Sequence, residues 1–149
     1  MQAQRTAGVH GWGLTVLRIV VGMVFLVHGL QKLLVMGFGG VAGFFGSLGV
    51  PAPGLLAVIV TLVELLGGLA LIAGLFTRLA AILLAADMLV AILTVHLPNG
   101  FFVSGGGYEF PLVLLGACIA LALAGAGEAG LGGALARRTR NPTLARLTR

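Results

Sequence analysis

Six side chains sit in apolar surroundings and could do chemistry there: His28, Lys32, Glu64, Asp87, His96 and Glu109. Ionisable groups are rare in apolar spans because lipid solvates them poorly, so they usually face the protein interior and take a partner. His28 and Lys32 are four residues apart and therefore share one helix face. Counted at about 1.5 Å per residue, Glu64 lies about 15 Å and His28 about 12 Å below the same surface. Asp87 falls near the midplane of its own segment, and Lys32, His96 and Glu109 lie near the outer boundary. The expected pairs are Glu64 with His28 or Lys32, and His96 with Glu109.

Two kinds of chemistry fit this set. In one, the charges are matched pairs that fix helix packing and do nothing else. In the other they form a proton- or quinone-handling pocket that opens outward. At the depth of Glu64 an unpaired carboxylate takes up a proton rather than stay charged. Two acids at one depth also repel, which favours Glu64 as a proton site. Phe38, Phe44, Phe45, Phe101, Phe102, Tyr108 and Phe110 collect at the same end, either around the pocket or as an ordinary interfacial belt. Arg18 lies toward the opposite surface, where its side chain is expected to snorkel outward. No phosphate loop, cysteine pair or nucleophile elbow is present, and two histidines make no haem or zinc set. No catalytic residue is assigned and no metal is expected.

These residues need helices to hold them. The chain has 149 residues, 59% of them hydrophobic and 9% charged, against about 25% charged in soluble domains. It reads as an all-α integral membrane protein, a four-helix transmembrane bundle. The spans are Leu14–Met36, Leu55–Phe76, Leu79–Leu97 and Tyr108–Ala126, each long enough to approach or cross a core of about 30 Å. Leu14–Met36 is longer than the apolar region of a cleaved signal peptide and is interrupted by charges, so it is read as a retained span. Two Gly-rich stretches, Gly37–Gly54 and Pro98–Gly107, read as loops, the first with room for a short re-entrant or surface helix. Gly74–Arg78 is a tight connector. The expected organisation is an N-terminal segment over 1–13 with Trp12 as interfacial anchor, a bundle over 14–127 and a basic tail over 128–149.

Four spans leave both termini on one side, together with Arg5, Arg78 and the tail arginines, whereas both Phe-bearing loops lack Lys and Arg. The positive-inside rule makes the basic side cytoplasmic. Arg137, Arg138, Arg140, Arg146 and Arg149 suit anionic lipid better than nucleic acid. Small residues recur at four-residue spacing in Ala70/Gly74, Ala81/Ala85 and Gly116/Ala120/Ala124, allowing close helix approach within the chain or between protomers. Cys118, the one cysteine, is read as a small packing residue.

The stretches LRIVVGMVFLVHGLQKL, FFGSLGVPAP, VELLGGLALIAGLFTRLAA and GYEFPLVLL, in this order over roughly residues 14–127, resemble the DoxX family. The resemblance implies a four-span bacterial inner-membrane protein, kin to the quinone-reducing DoxD component of thiosulfate:quinone oxidoreductase and to membrane parts of thiol-stress complexes. By motif position it singles out Arg18, His28, Lys32, Glu64, Arg78, His96 and Glu109. The chain departs from it where the fourth span ends: Gly-Ala-Gly-Glu-Ala stands in place of a Gly-Pro-Gly-Arg-Tyr-like motif. The function expected is a DoxX-like subunit of a membrane redox system, using a bound quinone and no covalent cofactor, with other membrane subunits or further copies of itself as partners. The rival is a non-catalytic assembly or anchoring subunit. A transporter ranks third, for want of inverted repeats or broken helices.

Overall fold

A computed structural model describes residues 2–132, with side chains from Val9 onward. The described residues are almost entirely helical. Helix α1 (Gln2–Leu30) runs into a wider, π-helical turn at Gln31–Met36 and stops at Gly37, whose φ of 65° suits glycine. A short helix α2 (Gly37–Ser47) follows, then α3 (Pro53–Ala73), which starts with proline in its first turn. Gly74 caps α3 in the left-handed region with φ 67°. Helix α4 (Thr77–Ala91) continues through a π-helical segment, Ile92–His96, and a short 3₁₀ turn, Leu97–Asn99. After a loop containing a second 3₁₀ turn, α5 (Glu109–Ala124) completes the bundle.

Three stretches are long and apolar enough to cross a membrane: Val9–Ser47, Pro53–Ala73 and Thr77–Asn99. Glu109–Ala124 is apolar but shorter. Many large apolar side chains point outward, among them Val27, Leu34, Val113 and Leu123. Lipid solvates such a surface, and the helices satisfy their own backbone groups within it.

Packing sets up two intimate pairs, α1 against α3 and α4 against α5, which meet mainly through α3 and α4 while α2 lies on α3. Glycine makes the first pair close. A methyl group at Gly68 would sit 2.6 Å from the Leu26 nitrogen, and one at Gly29 would sit 2.7 Å from the Leu65 nitrogen. Bundles in lipid gain cohesion from such approach because burial of apolar surface drives nothing there. Phe25, Leu71, Leu84, Cys118 and Leu121 fill the shared core.

The structure adds detail to several sequence expectations. Helix α1 begins at Gln2 and runs unbroken through the N-terminal segment into the first span. The short helix for which Gly37–Gly54 had room is α2, the first eleven residues of that stretch, with Val41 buried. Of the small-residue stripes, the one on α5 faces outward, with open space beside Gly116 and Ala120 and Ala124 exposed.

One expectation is corrected: Arg18 does not snorkel. It is 1% exposed and donates to the Leu71, Ile72 and Ala129 carbonyls. Two of those carbonyls lie in the last turn of α3, where the helix dipole favours a cation; the Leu71 carbonyl also accepts from the Gly74 nitrogen. The third belongs to the segment after α5. That segment also donates from the Glu128 and Ala129 nitrogens to Gly11 O and Thr15 Oγ1, and from the Gly132 nitrogen to Gly74 O. The first residues of the expected tail are thus docked on α1 and the α3–α4 turn. The tail arginines lie outside the described residues.

Candidate functional site

A cavity of about 490 Å³ lies between α3 and α4, roofed by α2 and the loop before α5. Its walls are mostly aliphatic and aromatic, and the polar groups on it come from three helices. Lys32 reaches in from the wide turn that follows α1, Glu64 from the middle of α3, and Asp87 from α4. The helical spacing explains the register. Glu64 shares the buried face of α3 with Ala57, Thr61, Gly68 and Leu71, and Asp87 follows Leu83 by one turn on the cavity side of α4.

Lys32 Nζ donates to Glu64 Oε2 at 2.6 Å, with side chains 20% and 4% exposed. The sequence left His28 or Lys32 as the partner of Glu64; the structure selects Lys32. Asp87 interacts electrostatically with both members of the pair, and its Oδ2 is buried without a hydrogen-bond partner. Asp87 thus meets the pair through a side-chain hydrogen bond with Glu64, within the field of the Lys32 ammonium. An ammonium has three donors, and with one given to Glu64 Lys32 can also serve a ligand.

His28 also lines the cavity, its ring 6.5 Å from that of Phe110. His96 lines it from the π-helical end of α4, with Nδ1 2.7 Å from Gly106 O. Glu109 is the member of the set that stands apart. Its Oε2 accepts from the Val103 nitrogen at 2.9 Å and holds the loop. The expected His96–Glu109 pair is therefore replaced by two separate backbone contacts. Each group sits beside an irregular loop whose unpaired carbonyl or N–H it satisfies. Arg78, at the opposite end on the first turn of α4, is exposed and lies away from the cavity.

Sequence reading missed Thr94, which lines the cavity seven residues beyond Asp87 and on the same face. That spacing was the available signal. It also missed the aliphatic wall, which in a chain so rich in Leu, Val and Ala carries no mark of its own.

Comparison with known proteins places the chain. The DoxX family model matches residues 13–97. The Bacillus subtilis protein named "Putative oxidoreductase CatD" is 40% identical over 113 residues, covering 76% of this chain and 79% of that protein. The Escherichia coli "Inner membrane protein YphA" is 37% identical over 70 residues, 47% of this chain and 49% of the other. The Mycobacterium tuberculosis "Uncharacterized membrane protein Rv3486" is 38% identical over 89 residues, 57% and 54% of the two chains. No solved structure matches.

Proposed function

The chain belongs to the DoxX family of membrane proteins, and on that footing we propose that it is a membrane subunit of a redox system whose cavity handles a quinone and its protons. The observation that carries this reading is the Lys32–Glu64–Asp87 group set into the wall of an otherwise apolar cavity. A buried group with two carboxyls and one ammonium reaches neutrality by holding one proton, and that proton can be exchanged with a ligand. A quinone ring suits the walls, its oxygens can accept from Lys32, and His28 and His96 offer further titratable groups on the same cavity. The described residues bring no redox centre of their own, so electrons come from a partner or pass through the quinone. The name of the Bacillus subtilis relative points the same way. We place the protein in a bacterial inner membrane with four spans and both termini cytoplasmic.

The short Lys32–Glu64 pair also suits the rival reading, a subunit that only packs and anchors. One experiment separates them. The protein is purified from native membranes into lipid discs, and its extractable quinone is compared with that of Lys32→Met and Asp87→Asn. Quinone that accompanies the wild type and is lost from both variants supports the redox reading. A quinone-free wild type that holds a second membrane protein supports the anchoring one.

A further inference from the structure

The wall of the cavity is incomplete on one side. Ile59, Val60 and Val63 of α3 face Leu83, Ala86 and Val90 of α4 across it. Of these, Ile59, Leu83 and Val90 are 44%, 46% and 54% exposed, and Ala86 is exposed as well. This side of the cavity is therefore not sealed by packing, and on α4 it adjoins Leu79, Ile82 and Leu93, which are exposed without lining the cavity. Nearer their shared turn the two helices close up, and a methyl group at Gly67 would lie 3.0 Å from Leu84 Cγ. Farther along, Phe44, Phe45 and Val103 cover the cavity from α2 and the loop. Between α3 and α4 the cavity is bordered by hydrocarbon side chains along a seam.

A seam of this kind is a poor route for a water-soluble solute, which would shed its hydration among groups that offer no hydrogen bond. It suits a molecule already dissolved in the bilayer. The volume falls within the range of small-molecule sites, about 300–1,000 Å³, and accommodates a ring with the first part of a chain attached. The polar contacts are confined to one wall, where Asp87 Oδ2 lacks a partner and Lys32 has donors left after Glu64.

We propose that the occupant is a bilayer-dissolved amphiphile, its compact oxygen-bearing head set on Lys32 and Asp87 and its hydrocarbon tail leaving through the seam between α3 and α4. The proposal rests on the quinone reading and adds the route and orientation of the ligand. Lys32 fixes the head because it is tethered by Glu64, and Asp87 receives whatever donor the head presents. The tail replaces lipid chains along Leu83, Ala86 and Val90.

The test uses the full chain in lipid discs and two probes, decylubiquinone and the same dimethoxybenzoquinone ring without an alkyl tail. Ala86→Phe fills the seam from α4, and Ile59→Trp fills it from α3, so the test stands if either variant fails to fold. Every sample contains the same lipid, and partitioning of the tail into the bilayer cancels in the comparison. Decylubiquinone should bind a folded seam variant roughly tenfold more weakly than wild type, while the tail-less ring binds both within about twofold. Unchanged binding of both probes, or equal weakening of both, overturns the seam. A wild-type protein that binds neither probe overturns the quinone reading and the seam with it.

Discussion

Lys32 and Glu64 are a pair whose members cannot be removed singly without cost. Each leaves the other in a site where water helps little, since Glu64 is 4% and Lys32 20% exposed at the side chain. Breaking a buried pair from one side costs about 3–5 kcal/mol, and the partial exposure of Lys32 places Glu64→Gln toward about 2–3 kcal/mol. Adding Lys32→Met removes the stranded cation and should recover much of that loss. Thermal unfolding of the two single variants and the double variant measures it, and strictly additive losses would show that the pair contributes no coupling. Asp87→Asn should behave differently. Its Oδ2 has no partner to lose and the asparagine amide can keep the side-chain hydrogen bond with Glu64, so stability should hold while ligand binding falls. A large stability loss in that variant would mark Asp87 as a packing residue. The sequence showed this group because helical spacing places ionisable side chains by face and depth. It did not show the burial of Arg18, whose partners are backbone carbonyls at Leu71, Ile72 and Ala129. A carbonyl leaves no trace in residue type. Arg18→Met should therefore cost about 2–4 kcal/mol by removing these charge-assisted hydrogen bonds, and Arg18→Lys should recover only part, because an ammonium cannot match the planar fork. Full rescue by lysine would reduce the role of Arg18 to its charge.

At the scale of elements, the closeness of α1 and α3 depends on Gly22, Gly29 and Gly68. A side chain at Gly68 meets the Leu26 and Gly22 backbones, which cannot swing aside as a side chain can. Gly68→Leu should push the helices apart and lower the unfolding midpoint strongly, whereas Gly116→Leu, with open space around it, should leave it nearly unchanged. If the two variants melt alike, close backbone approach is not what holds this pair. The seam was illegible beforehand because glycine is everywhere: with 25 glycines in 149 residues, four-residue spacings arise by chance, and the stripe that looked most regular lies on the outer face of α5. That α2 was legible only as one option for Gly37–Gly54 has a related cause. Its sequence, GFGGVAGFFGS, would fray in water, where glycine costs about 1 kcal/mol relative to alanine. Packing on α3 and an apolar surround favour the helix instead, since unpaired backbone groups have no water to turn to. The four main apolar segments were plain for the opposite reason: long apolar runs leave helix as the open form of spanning backbone.

For the whole molecule the question is how often the chain crosses, and α5 decides it. Its sixteen residues span about 24 Å, short of a hydrocarbon core of about 30 Å. By length alone it could stop within the bilayer. Its contacts argue that it reaches the far side. Residues directly after α5 bond to Gly11 and Thr15 near the start of the first span and to Gly74 in the α3–α4 turn. The exit of α5 is therefore level with the turn that carries Arg78, and its entrance at Glu109 is level with the loop next to His96. We propose that a helix anchored at both ends like this crosses, with local thinning of the bilayer at a cost of fractions of a kcal/mol per Å of mismatch. Trp12, 59% exposed at the same end as that exit, suits an interfacial position. Reporter fusions after Arg78 and after Arg149 should both read cytoplasmic, and fusions within Gly37–Gly54 or Pro98–Gly107 should both read external. The decisive pair is Arg78 and Arg149. If they report opposite sides, α5 does not cross and the chain has three spans. If both read external, the count stands but the basic side faces outward, and the cavity would then lie toward the cytoplasmic side of the membrane.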